Sequence, residues 1–177
     1  CWVSYVEMVK IAQGKSVLVK TTMDNNFCLT AEQLEAAITP KTKLLMLCSP
    51  NNPTGSVYSL ENLQAIVEVL KRHPQVNVLA DEIYQHILYT GKHETLAQFP
   101  EIEDRLIIIN GVSKAYAMTG YRIGWMASHD KELITAVKRL QGQTISCATT
   151  IAQKAAEAAY AGPQDCVEAM RQAFHRR

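Results

Sequence analysis

Two rhythms of apolar residues alternate along this chain. Short apolar runs of strand length occupy residues 43–49, 77–80, 106–110 and 124–128. Between them, apolar positions recur every three or four residues, as on one face of a helix. Residues 60–72 are the strongest case, with Leu63, Ile66, Val67 and Leu70 on one side and Ser59 as the cap. Residues 31–38 read as a helix opened by the capping box Thr30-Ala31-Glu32-Gln33 and closed by Pro40. Residues 4–13 read as a helix ended by Gly14, and residues 16–22 as a strand. Further helices are predicted at 130–140 and 149–161, the latter broken by Gly162-Pro163, and from 167 to 177. Alternation of this kind, without repeats or low-complexity segments, predicts an α/β fold with a largely parallel sheet.

Polar residues of chemical interest cluster where the apolar runs end. Asn51-Asn52-Pro53-Thr54-Gly55 follows the run at 43–49, and Asp81-Glu82-Ile83-Tyr84 follows the run at 77–80. Ser113-Lys114 follows the run at 106–110 and leads through Gly120-Tyr121-Arg122 to the run at 124–128. Open α/β sheets bind ligands outside the carboxyl ends of their strands, so this placement predicts a site.

Composition narrows the function classes. The chain has 177 residues, nearly half of them apolar, with a formal net charge of +1. That is enough for one domain with a real core, and it gives no basic face for nucleic acid. The longest apolar runs are too short to span a bilayer. Five scattered cysteines without a CxxC, and five dispersed histidines, offer no metal-ligand spacing. They predict a reduced, cytoplasmic setting with the cysteines as buried small apolar residues. The first residue is Cys1 and the last is Arg177, in a helical pattern with no stop signal. This predicts a piece of a longer protein.

Each candidate residue has a chemical reading and a plainer one. Lys114 offers an amine able to form an imine with an aldehyde and to act as a general base, favoured by burial or a nearby cation such as Arg122. Alternatively it is a surface lysine. Asp81, at the end of a buried run, needs a cation or hydrogen bonds, and a protonated pyridine nitrogen is one such cation. Alternatively it is a helix cap or an ion-paired carboxylate. Glu82 beside it reads as a neighbour facing elsewhere. Tyr84 and Asn52 can both donate to one ligand oxygen, unless they are a packing tyrosine and a simple Asn-Pro turn. Arg122 offers a fork for phosphate, or a surface ion pair. Trp2 can lie on a flat ring, or pack.

Taken in order, Asn51-Asn52-Pro53-Thr54-Gly55, Asp81-x-x-Tyr84, and Ser113-Lys114 with Arg122 eight residues on resemble the class I/II aminotransferases of pyridoxal phosphate (PLP) fold type I. Trp2-Val3-Ser4-Tyr5 and the run from Ala115 to Trp125 point to the bacterial aspartate-aminotransferase subgroup. The resemblance covers nearly the whole chain. It implies the large-domain fold of these enzymes, a three-layer α/β/α sandwich with a mostly parallel sheet, and PLP as cofactor. It implies that Lys114 resembles the Schiff-base lysine, Asp81 the partner of the pyridine nitrogen, and Tyr84 and Asn52 the pair on the ring 3-oxygen. Arg122 resembles the phosphate arginine and Trp2 the residue stacked on the ring.

The same resemblance implies an amino acid and a 2-oxo acid as substrates and a homodimeric parent. Residues 1–177 then form part of the large domain, without an upstream phosphate-loop segment or a C-terminal small domain, and the piece alone is expected to bind PLP weakly or not at all. Three positions depart from the family pattern. Gly111 stands where many relatives have Ser or Thr, Ser146-Cys147 where a Ser-Asn pair reaches the neighbouring subunit, and Gly142 near an arginine of some aspartate-specific relatives. Alternatives are another PLP enzyme of the same group, such as a β-lyase, a ligand-sensing domain of a transcription regulator, or a non-catalytic remnant.

Overall fold

The computed structural model describes residues 1–177 and places four strands in one sheet in sequence order. They are β1 (Leu44–Cys48), β2 (Asn77–Asp81), β3 (Leu106–Gly111) and β4 (Gly124–Ser128). β1, β2 and β3 run parallel, and β4 returns antiparallel to β3. The helices are α1 (Val3–Ile11), α2 (Ala31–Ala37), α3 (Leu60–Arg72), α4 (Lys131–Thr144), α5 (Thr150–Ala161) and α6 (Asp165–Arg176). The fold is α/β with a mostly parallel sheet, and the strands and long helices fall where the apolar pattern puts them.

The core lies on one face of the sheet. Register aligns Leu45 with Val78 and Leu106, and Leu47 with Ala80 and Ile108, so these six side chains share that face. α3 covers it with Leu63, Ile66, Val67, Val69 and Leu70, all buried, each contributing about 1.5–3 kcal/mol by leaving water. The helix starts at a capping box in which Ser59 Oγ accepts from the Asn62 N–H and Asn62 Oδ1 accepts from the Ser59 N–H. Its far end is closed by Arg105, whose guanidinium donates to the carbonyls of Leu70, His73 and Val76 at 2.7–2.9 Å. The Leu70 and His73 carbonyls each also accept one backbone N–H, from His73 and Val76, so the guanidinium adds a second donor to both and ties the end of α3 to the loop that follows.

Three local expectations are corrected. Residues 16–22 form no strand: the segment pairs with no ladder, and Val17 and Leu18 are 66% and 68% exposed. Strand propensity needs a neighbouring strand to satisfy its backbone, and here only Val19 packs on the core while the Lys20 carbonyl accepts from Gln33 Nε2. Gly14 does not supply the left-handed residue after α1; Gln13 does, at φ 59°. Gly14 is instead needed for close approach, because a Cβ there would lie 2.9 Å from Val9 Cγ1. Of the cysteines, only Cys28 and Cys48 are buried, while Cys1, Cys147 and Cys166 are exposed.

Candidate active site

The carboxyl ends of the three parallel strands deliver Asn52, Asp81, Tyr84 and Lys114 to one edge of the sheet. Asp81 is the last residue of β2, in register with Cys48 of β1 and Ile109 of β3. It therefore lies on the face opposite α3. The next residue, Glu82, is buried on the other side, where it accepts from Thr95 Oγ1 at 2.7 Å and lies 3.1 Å from His93 Nε2. Adjacent carboxylates thus face different surroundings because side chains alternate across a strand.

Asp81 is held at both oxygens. The Tyr5 hydroxyl donates to Oδ2, and the Ile83 N–H donates to Oδ1 at 3.2 Å. Tyr5 stands in the first turn of α1, and the Trp2 ring meets it edge-on, with centroids 5.6 Å apart. Burial pushes the Tyr5 phenol above its ordinary range, and its bond to Asp81 adds to the shift. Cys48, across from Asp81, is likewise pushed up by burial and stays a neutral thiol.

A second group forms around Tyr84. The turn 51–55 is closed by the Gly55 N–H on the Asn51 carbonyl, with Gly55 at φ 72°, where glycine is favoured. This turn presents Asn52, whose Nδ2 donates to the Tyr84 hydroxyl at 3.4 Å. Lys114, in the turn after β3, places its Nζ 5.8 Å from the centre of the Tyr84 ring. Amide, phenol and amine are thereby brought together from three separate strand ends.

Arg122 joins neither group. Its Nη1 donates to the Thr119 carbonyl at 2.8 Å, within its own turn, and the side chain is exposed. Lys114 is also exposed, so the burial expected around its amine is not found within residues 1–177, although Val112 and Ala115 on either side of it are buried. Ala117 and Arg122 on that turn both adopt left-handed backbone, at φ 53° and 54°, a conformation non-glycine residues rarely take. Gly111 has a structural reason to be glycine: a Cβ there would lie 2.8 Å from the Gly124 Cα of the paired strand. No hydroxyl-bearing side chain fits at that position.

Tyr5 and Cys48 carry no role in the sequence reading. Tyr5 was legible in part, because it sits one helical turn after Trp2, the spacing that puts two side chains on one face. Its contact with Asp81, 76 residues away, was not.

Residues 1–177 match the family of aminotransferases class I and II. The chain belongs to that family. It is 46% identical to an aspartate/prephenate aminotransferase of Nitrosomonas europaea and 49% identical to an aspartate aminotransferase of Geobacillus stearothermophilus, over 99% of this chain and 45% of each relative. Its structure superimposes on the crystal structure of the Rhizobium meliloti aspartate aminotransferase with a TM-score of 0.95, at 46% identity, over 99% of this chain and 44% of that one. An aromatic aminotransferase from Pyrococcus horikoshii gives 0.95 at 34% identity, over 99% and 48%. The chain thus spans somewhat under half the length of the curated relatives it matches.

The donor set suits the cofactor of these enzymes. A protonated pyridine nitrogen needs an oriented carboxylate, which Asp81 offers with one lone-pair site on each oxygen still free. A phenolic oxygen needs donors, which Asn52 and Tyr84 present side by side. An aldehyde needs an amine, and Lys114 is the one beside them.

Proposed function

We propose that this chain is part of the cofactor-binding large domain of a PLP-dependent amino-acid transaminase, which moves an amino group between an amino acid and a 2-oxo acid. The observation that carries the reading is the grouping of Asn52, Tyr84 and Lys114 at the same strand ends that carry the doubly held Asp81, in a chain of the aminotransferase family. Its relatives' names, aspartate and aspartate/prephenate aminotransferase, support the reaction class.

When bound, PLP supplies an electron sink for charge developing at the substrate α-carbon. Asp81 would hold the proton on the ring nitrogen. Asn52 and Tyr84 would donate to the ring oxygen, and Trp2 would cover the ring. Arg122 would turn from the Thr119 carbonyl to pair with the phosphate. Lys114 would anchor the cofactor and then, once released, carry the proton to and from the α-carbon as a general base. The exposure of Lys114, Arg122 and Trp2 accords with a site completed by further segments and by a second subunit of a homodimer. We place the protein in the cytoplasm on the same reading; no helix is long and apolar enough to cross a membrane.

The test is amino transfer by the full-length protein. Turnover of an amino acid that depends on an added 2-oxo acid, with one amino product formed per oxo acid consumed, is the expected result. Turnover that proceeds without any oxo acid would replace transamination with a lyase reaction on the same residues.

A further inference from the structure

α1 is a helix without an obvious packing reason. Val3, Met8 and Ile11 are 78%, 51% and 83% exposed, and Tyr5 is its one buried side chain. A surface helix ordinarily docks through an apolar stripe. Here the docking contact is a phenol that reaches the end of β2 and donates to a carboxylate.

A buried phenol costs free energy unless its hydroxyl finds a partner, and Asp81 is that partner. Burial and the bond to Asp81 both keep the Tyr5 proton in place, so the group remains a donor throughout the neutral pH range. Cys48, on the facing strand, is a neutral thiol that donates towards the Pro50 carbonyl at 3.3 Å, so it brings no competing charge. With the Ile83 N–H on the other oxygen, the carboxylate is gripped from two sides and its plane is fixed.

We propose that Tyr5 is a positioning residue for the reaction: it holds Asp81 in the orientation from which that carboxylate engages the ring nitrogen of the bound cofactor. This rests on the transaminase reading above. Tyr5 touches neither cofactor nor substrate in this scheme; it acts through Asp81. The same contact couples α1, and with it Trp2, to the end of β2, so one hydrogen bond links the residue that would cover the ring to the residue that would pair with its nitrogen.

The test uses the full-length protein and four forms: wild type, Tyr5→Phe, Asp81→Asn and the double variant. Affinity for PLP is read by absorbance titration, alongside kcat and KM for the amino donor. Tyr5→Phe keeps the ring and its contact with Trp2 and removes only the donor. It is expected to weaken PLP binding about tenfold and to lower kcat with little change in KM, as loss of one hydrogen bond to a charged group implies. On the Asp81→Asn background the same change should alter affinity less than about twofold, because a residue acting only through Asp81 has nothing left to act on. Equal effects on both backgrounds, or no effect on either, would overturn the proposal.

If Tyr5→Phe does not fold, a 13C-labelled tyrosine placed at position 5 of the otherwise unaltered protein decides the matter. Its ring resonance should move when PLP is added, and a resonance that ignores the cofactor overturns the role. Failure of the underlying reading looks different: wild-type protein that takes up no PLP at Lys114 on reductive trapping defeats both claims, whereas a labelled Lys114 with an indifferent Tyr5→Phe defeats this one alone.

Discussion

The two faces of the sheet do opposite jobs with nearly identical strands. On the α3 face, Leu47, Val78, Ala80 and Leu106 meet a helix whose five inward residues are all buried, and even the carboxylate that points there, Glu82, is enclosed with Thr95 and His93. On the other face the same strands carry Asp81 and Ile109, both covered only in part, beside the buried Cys48, and Asp81 is held there by hydrogen bonds rather than by packing. Alternation along a strand is enough to divide stability from chemistry: Asp81 and Glu82 are neighbours in sequence and belong to different halves of the molecule. The stable face fixes where the strands end, and the strand ends fix where Asn52, Asp81 and Lys114 stand.

Substitutions can break this division or sharpen it. The largest loss of stability is expected at Ile66→Ala, which empties a fully buried position under the sheet and should cost about 2–5 kcal/mol in denaturant unfolding of the full-length protein. A cost below about 1 kcal/mol would mean that α3 does not anchor the sheet. Next comes Glu82→Ala, which strands the Thr95 hydroxyl and His93 and should cost about 1–3 kcal/mol. Asp81→Asn, one residue away, should change stability by less than about 1 kcal/mol while removing most of the cofactor affinity. If the two neighbours exchanged these effects, the assignment of faces would be wrong.

The last effect is absent at neutral pH and shows only as a slope in alkali. Burial pushes the Tyr58 phenol up to about 12, against an ordinary value of 10.0, while its oxygen accepts from the Leu29 N–H at 2.8 Å. Between those pH values the unfolded chain releases the proton and the folded chain keeps it. Stability is therefore full below pH 10 and falls as pH rises towards 12. Tyr58→Phe should flatten that part of the stability curve, as measured by urea unfolding at a series of alkaline pH values. An unaltered slope would mean that the phenol is not enclosed on the α3 face.

What could be read from the sequence follows the same division. α3, its Ser59 cap and the four strands were legible because local pattern and burial agree there: Leu63, Ile66, Val67 and Leu70 recur at helical spacing and do face the sheet. The positions of Asn52, Asp81, Tyr84 and Lys114 at strand ends were legible for the same reason. The strand expected at 16–22 was not real in this fold, since Val17 and Leu18 have the residue type of a strand without a partner to pair with. Arg105 on the end of α3 and Tyr5 on Asp81 were beyond reach, because each contact joins residues far apart in sequence and depends on how elements dock. Gly111 looked like a missing phosphate ligand in the sequence, yet the structure explains it by the closeness of Gly124 across the strand pair. Apart from the absent strand at 16–22, the part that sequence could not supply was a contact between elements, not the identity of an element.

The central claim is that Lys114 is the residue through which this site holds its cofactor. It is tested most directly by treating the full-length protein with PLP, reducing with borohydride and mapping the label by mass spectrometry. The account predicts a single modified lysine, Lys114; a label concentrated on any other lysine would contradict it.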